Sequence, residues 1–186
     1  MGGVESPGPG RWLSGPLFER RIVVVSGSLD DAVAGQAAAQ LMALDAVADE
    51  PIEVQLDCPD AALEAAFVLI DVIDSLRAPV RGHCRGRAGG PSVGVVALAR
   101  HRSASPSATF RLVQPVTRFS GSPDQIAEQS RRYRDLLWRL QARLATATGK
   151  PAEEISDDMR RGRVLDAQAA LDYGLIDTIG RSRAGR

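Results

Sequence analysis

Lysine is almost missing from this chain: Lys150 stands alone, and the other basic side chains are all arginine. Basic and acidic residues balance at 23 each, so the formal net charge is zero, which excludes a general electrostatic pull toward nucleic acid or an anionic membrane surface. Cysteine is scarce. Cys58 and Cys84 are too few for a disulfide framework and suit a reducing compartment. No apolar run is long enough to span a bilayer. The N-terminal stretch MGGVESPGPGRWLSGP lacks the apolar core of a signal peptide, so a soluble, cytoplasmic protein is expected. No Cys/His or carboxylate spacing marks a metal site, and no Walker-type glycine loop occurs; neither metal nor cofactor is expected.

What remains is the composition of an ordinary globular protein, 44% hydrophobic and 25% charged over 186 residues, enough for one domain with a sizeable core. Residues 1–16 are rich in Gly, Pro and Ser and are expected to be mobile, as are residues 182–186, leaving 17–181 as the domain. Arg21–Val25 (RIVVV) reads as a buried strand, followed by a helix that Asp30 or Asp31 can cap and that runs to about Ala48. Ile52–Leu56 is a second strand, broken at Asp57-Cys58-Pro59-Asp60. Leu63, Phe67, Ile70, Ile73 and Leu76 then recur at helical spacing.

Val80–Cys84 is a third strand, and Gly86-Arg87-Ala88-Gly89-Gly90-Pro91-Ser92-Val93-Gly94 reads as a glycine-lined loop opening a helix over the apolar run to Ala99. Thr109–Val113 is another strand. Alternating strands and helices predict an α/β domain with a parallel sheet and right-handed crossovers. From Pro123 a long helix carries Ile126, Tyr133, Leu137, Leu140 and Leu144 on one stripe, with Trp138 off it, and ends at Gly149-Lys150-Pro151. Apolar on more than one side, it either projects toward a partner or packs on its own sheet. A short helix and a strand-like GLIDTIG close the chain.

Several stretches, FERRIVVVSG, IEVQLDCPDAA, GHCRGRAGG, RLVQP, TGKPAEEI and RVLDAQAALDYGLIDTIG, fall in the order and spacing of the proteolytic subunit of the Clp protease, a serine peptidase family. The C-terminal run from Arg163 to Ile179 is the strongest match, and the resemblance spans roughly residues 17–181. It implies the ClpP/crotonase-like α/β fold of repeated β-α units, a protruding handle helix from Pro123 onward, and assembly into rings.

The resemblance also implies where a catalytic triad would lie. The family's serine loop, Gly-x-Ala-Ala-Ser-Met-Gly, falls on Gly86–Ser92 and puts Gly90 at the nucleophile; the next position, which lends an oxyanion N–H, is Pro91, and proline has none to lend. Val113 replaces the histidine that precedes Gln-Pro, and Gly162 replaces the aspartate after arginine. The other half of the oxyanion hole, Asn-Ser-Pro-Gly-Gly in the family, is Asp57-Cys58-Pro59-Asp60-Ala61, where Asp60 brings a carboxylate toward the developing negative charge.

Substitutes within the chain are few. Ser92 lies two residues past the nucleophile position and reads as a helix-capping hydroxyl. His101 reads as a solvated helix-end histidine, and Asp157 and Asp158 as solvated helix charges. His83 and Cys84, adjacent on a strand, point to opposite faces and cannot form a dyad. Cys58 lies in the former oxyanion turn without an evident base. The expectation is a non-catalytic Clp-protease-like subunit in a homo-oligomer or a mixed ring with active paralogues, with a Clp ATPase chaperone as possible partner and with neither nucleic acid nor membrane. A rewired hydrolase using Ser92 or Cys58 and a crotonase-like acyl-thioester binder stand as alternatives.

Overall fold

The computed structural model describes residues 14–180; of the segments expected to be mobile, 1–16 and 182–186, residues 1–13 and all of 182–186 lie outside the described residues. Helix α1 (Ser14–Glu19) already begins inside the stretch read as unstructured. Strand β1 (Ile22–Ser26) leads into α2 (Asp31–Val47), and Asp30 is the residue that caps it, its Oδ1 accepting the Val33 N–H at 2.9 Å. β2 (Ile52–Cys58), α3 (Leu63–Ser75) and β3 (Val80–Gly89) continue the alternation. Then come α4 (Ser92–Ala97), β4 (His101–Ala104) and β5 (Thr109–Leu112). The long helix α5 (Pro123–Thr148), α6 (Ala152–Arg161), β6 (Arg163–Asp166), α7 (Ala167–Tyr173) and β7 (Thr178–Ile179) complete the order.

One sheet runs β1-β2-β3-β4-β7, and β5 joins it on the far half of β3 while also pairing with β6. Most pairs are parallel, but β5 and β6 are antiparallel, which corrects the expectation of a wholly parallel sheet. Between β5 and β6 the chain passes through α5 and α6 and comes back along β5 in the opposite direction, so no β-α-β crossover joins this pair. β3 also runs five residues beyond the expected end at Cys84, to Gly89. Its first half pairs with β4 and its second with β5, so the glycine-rich stretch is largely strand, and the turn into α4 is only Gly90 and Pro91. His101 opens β4 and is exposed; it is not at a helix end.

The core is built from the inward rows of the sheet, Val23, Val25, Val54, Leu56, Phe110 and Leu112, against Leu41, Leu69 and Ile70 of the helices. α5 divides in two. Leu137, Leu140, Gln141 and Leu144 are buried on the domain, whereas residues 123–127 are all exposed and Trp138 stands 65% exposed on the opposite side. The long helix therefore both packs on its own domain and projects from it.

Two arginines stitch the periphery. Arg21, at φ +57, adopts a left-handed backbone that L-residues resist, and its guanidinium donates to the carbonyls of Leu44, Ala48 and Glu50 around the C-terminus of α2. Arg102 donates to the Asp177 carboxylate and to the carbonyls of Ala147 and Gly174, tying β4 to the ends of α5 and α7.

Hydrogen bonds from Arg102 hold the Asp177 carboxyl below its ordinary range despite partial burial. A pKa depressed on folding contributes stability that is present above the unfolded value, about 3.9, and is lost as pH falls through the folded value. Asp177→Asn should thus lower stability by about 1–2 kcal/mol at neutral pH. The gap to the unsubstituted chain should shrink below about pH 4. Urea unfolding at about pH 7 and about pH 3 checks this; a gap that widens in acid would contradict it.

Candidate functional site

Residues distant in sequence meet at Val113. The register pairs Gly89 with Arg111 and Leu112 with Arg163, so the turn after β3, the end of β5 and the start of β6 lie side by side. A Cβ placed on Gly90 would stand 3.3 Å from the Val113 carbonyl oxygen and 3.6 Å from its Cγ1, and one on Gly162 would stand 4.0 Å from its Cγ2. The three positions at which the resemblance puts nucleophile, base and acid therefore form one cluster. Their side chains are a hydrogen, an isopropyl group and a hydrogen; none can attack a carbonyl, take a proton or carry charge.

Both glycines have a backbone reason to be there. Gly90 sits at φ +56, the left-handed kink that turns β3 into α4, and Gly162 at φ +71 is the C-cap of α6, its N–H reaching the Asp158 carbonyl. No free backbone donor is left in the turn: Gly90 N–H donates to the Arg111 carbonyl at 2.8 Å, Pro91 has no N–H, and Gly89 N–H donates to Ser92 Oγ at 2.9 Å.

Ser92 is fully buried. Besides accepting from Gly89, its hydroxyl stands 2.9 Å from both the Cys58 and Gly89 carbonyls, to which it can give its one proton. The expectation of a capping hydroxyl needs correcting: Pro91 is the N-cap residue, without a side-chain cap bond. Ser92 instead staples the turn of Gly90 and Pro91 to the Cys58–Ala61 turn. The same seam explains Gly89, where a Cβ would lie 1.8 Å from the Pro59 carbonyl oxygen; strand and turn touch backbone to backbone.

The second turn is likewise used up by structure. Leu29 donates to the Asp60 carbonyl and accepts from Ala62 N–H, and no residue from Asp57 to Ala61 has a positive φ. Burial above all, then the charges of Asp57 and of the exposed Asp60, pushes the Cys58 thiol up to about 12. Burial first of all pushes Cys84 up to about 12 as well. Thiols held this far above neutrality are protonated and poor nucleophiles. His83 is buried, its Nδ1 2.9 Å from Ser103 Oγ and its Nε2 3.2 Å from Ser105 Oγ, with burial lowering its pKa. Among the described residues no cluster of three or more His, Cys, Asp or Glu could hold a metal ion.

Asp158 departs from expectation. It is buried, accepting from Tyr173 Oη at 2.8 Å and from Arg163 at 2.9 Å, while Lys150 lies 4.6 Å over the Tyr173 ring. Asp157, its neighbour, pairs with Arg160 across an accessible helix face. Sequence reading missed this cluster because its members are recruited from α6, β6 and α7. The one available signal was Asp158 lying on the same helical face as Ile155 and Met159.

Comparison with known proteins now has a geometry to stand on. The family model described as Clp protease matches residues 11–183. The ATP-dependent Clp protease proteolytic subunit of Paracoccus denitrificans is 33% identical over 168 residues, which cover 89% of this chain and 84% of that one. A 31% identical relative from Arabidopsis thaliana is named ATP-dependent Clp protease proteolytic subunit-related protein 2, chloroplastic; the match covers 89% of this chain and 60% of that protein. Among solved structures, a point mutant of ClpP1 from Listeria monocytogenes superposes with a TM-score of 0.81 over 92% of this chain and 97% of that one, at 23% identity, which is a likeness of fold.

Proposed function

Since the chain belongs to the Clp protease family, we propose that it is a non-catalytic member, a subunit that contributes structure to a Clp protease assembly without cutting peptides. The observation that carries this reading is the cluster of Gly90, Val113 and Gly162 at one point. The three positions at which the family's triad would fall stand together, and all three side chains are chemically silent. Serine acyl transfer needs an attacking oxygen, a base to take its proton, a group to orient that base and donors for the oxyanion. Here the first three are absent from the cluster, and the nearest backbone donors are engaged or missing.

A role in assembly is supported by α5. Its N-terminal turns and Trp138 stand in solvent, whereas Leu137, Leu140 and Leu144 anchor the rest. An amphipathic helix held at one end and open along the other is suited to meeting another subunit, either a second copy or an active paralogue. Two buried, unpaired cysteines fit a cytoplasmic setting.

Size-exclusion chromatography with light scattering, on the chain alone and mixed with an active paralogue, together with a fluorogenic peptidase assay, tests both halves. Oligomers or mixed complexes without hydrolysis by the isolated chain are expected. A chain that stays monomeric and ignores the paralogue would remove the assembly role, and turnover by the isolated chain would remove the non-catalytic one. Gly90→Ser should not create activity, because Val113 and Gly162 stay silent and Pro91 donates nothing. Nor is the substitution free: the Cβ would crowd the Val113 carbonyl oxygen at 3.3 Å, and φ +56 should itself cost about 1 kcal/mol. Hydrolysis by that single variant would refute this account of the site.

A further inference from the structure

Away from the triad cluster, one imidazole stands between two hydroxyls. His83, 5% exposed in the first half of β3, has Ser103 Oγ 2.9 Å from its Nδ1 and Ser105 Oγ 3.2 Å from its Nε2. Parallel pairing explains the first contact, because His83 and Ser103 are register partners in β3 and β4. The turn after β4 fixes the second. Ser105 N–H donates to the Cys84 carbonyl and Ala108 N–H donates to the Ser105 carbonyl, both at 2.9 Å, between the buried Ala104 and Ala108.

This chain of bonds has a direction. Ser103 Oγ lies 3.4 Å from the Gly82 carbonyl, which can only accept. A hydroxyl has one proton, so a Ser103 that gives it to Gly82 receives from Nδ1–H. That tautomer turns the Nε2 lone pair toward Ser105, whose hydroxyl has no other partner among the described residues. Hydroxyl, basic nitrogen, opposite N–H and fixed acceptor follow in the order of a nucleophile, its base and the group that orients the base. Ser105 is half-buried and not sealed in the core. Charges around the imidazole oppose each other: Glu53 of β2 favours its proton and Arg85 of β3 disfavours it, while its partners from β4 and the following turn are hydroxyls. Burial outweighs both charges and lowers the pKa, so the base is free to take a proton at neutral pH.

We infer that Ser105 is a covalent modification site, a hydroxyl that His83 makes nucleophilic toward activated acyl esters. Ser105 Oγ attacks the ester carbonyl carbon while His83 Nε2 takes the hydroxyl proton. The tetrahedral adduct then collapses: the seryl ester has formed, the bond to the leaving group breaks, and the leaving group departs with that proton. Ser103 acts through His83 and is a positioning residue. Pro106, the next residue, has no N–H to offer the oxyanion, so the site takes an acyl group from a donor that is already reactive and does not cut peptides. It shares no residue with the cluster of Gly90, Val113 and Gly162.

The test treats the full chain with p-nitrophenyl acetate and follows acetylation by peptide mass mapping over time. Ser105 should react about a hundredfold faster in the folded chain than in the urea-unfolded one, the lower end of what a positioned base contributes. Ser105→Ala should abolish this fast acetylation, and Ser107→Ala should keep it. His83→Gln should bring the rate down to that of the unfolded chain. Ser103→Ala should slow it about tenfold, the effect of one lost hydrogen bond, and Ser103→Thr should restore it. In the unsubstituted chain the rate should fall as His83 becomes protonated, below about pH 6.5. Equal rates in the folded and unfolded chains, indifference to His83→Gln in a variant that urea unfolding shows to be folded, or a rate that does not fall in acid would each overturn the assignment. Acetylation is mapped to Ser105 without a peptide substrate, so its failure is distinguishable from a failure to assemble or from peptide hydrolysis.

Discussion

Replacing Gly89 with alanine should unfold most of the molecule. The added Cβ would sit 1.8 Å from the Pro59 carbonyl oxygen and 2.6 Å from its carbon, and neither partner is a flexible side chain that can swing away. The end of β3 and the Cys58–Ala61 turn would have to separate by more than 1 Å. That movement would break the pairing of Cys58 with Ala88 and the Ser92 staple between Gly89 and Cys58, leaving a buried hydroxyl and buried backbone groups unsatisfied. Overpacking and lost hydrogen bonds together should cost about 4–5 kcal/mol, most of the stability of an ordinary domain. Gly90→Ala is the informative neighbour. There the Cβ would stand 3.3 Å from the Val113 carbonyl oxygen, a mild crowding beside the left-handed backbone that opposes it, so about 1–2 kcal/mol is expected. Urea unfolding of the two variants separates steric contact from torsional strain; a Gly89→Ala chain as stable as the parent would disprove the backbone contact.

The second large effect lies in the helix layer. Leu140 is fully buried, and its Cδ1 occupies the space where a Cβ on Gly94 would lie at 2.8 Å, with Ile70 Cδ1 at 3.0 Å on the same spot. α3, α4 and α5 thus meet over one glycine, and this contact anchors the long helix. Leu140→Ala should cost about 3–4 kcal/mol from lost burial and the cavity left behind, and should loosen α5 at its anchored half. Gly94→Ala alone should destabilise by about 1–3 kcal/mol through crowding. Combined, the two should cost clearly less than their sum, because the leucine's absence makes room for the new methyl. A double-mutant cycle measures this; strict additivity would show that the side chains do not share the space.

This fold does not require triad side chains at Gly90, Val113 and Gly162. The turn of Gly90 and Pro91 serves the backbone path from β3 to α4, and Gly162 ends α6. Their conformations are demanded by topology whether or not chemistry follows. The side chains that acylation would require are, by comparison, surplus to folding.

Much was legible from residues alone. Alternating apolar runs marked β1, α2, β2, α3 and α5 because their signals are local: a 3.6-residue or two-residue period, Asp30 before a helix, Pro123 and Gly149 at the ends of one. Resemblance to the family's motifs put Gly90, Val113 and Gly162 at the expected triad positions; their spatial contact came from the fold. Where reading stopped at Cys84, β3 continued, because its second half is polar and glycine-rich and is strand only through its pairing with β2 and β5. β4 and the antiparallel β6 were not read because each buries only one of its four residues and so shows no apolar run or alternation.

The sequence by itself determined the alternation of β1, α2, β2, α3 and the long α5, the residue types at Gly90, Val113 and Gly162, and the glycines at which the chain can turn left-handed. Tertiary structure alone decided that Gly90 and Gly162 face Val113, that Ser92 is a staple and not a cap, and that Asp158 is buried beneath Tyr173. Those outcomes depend on register between strands dozens of residues apart, and register is settled by which buried rows fit together, an energy that no local stretch contains.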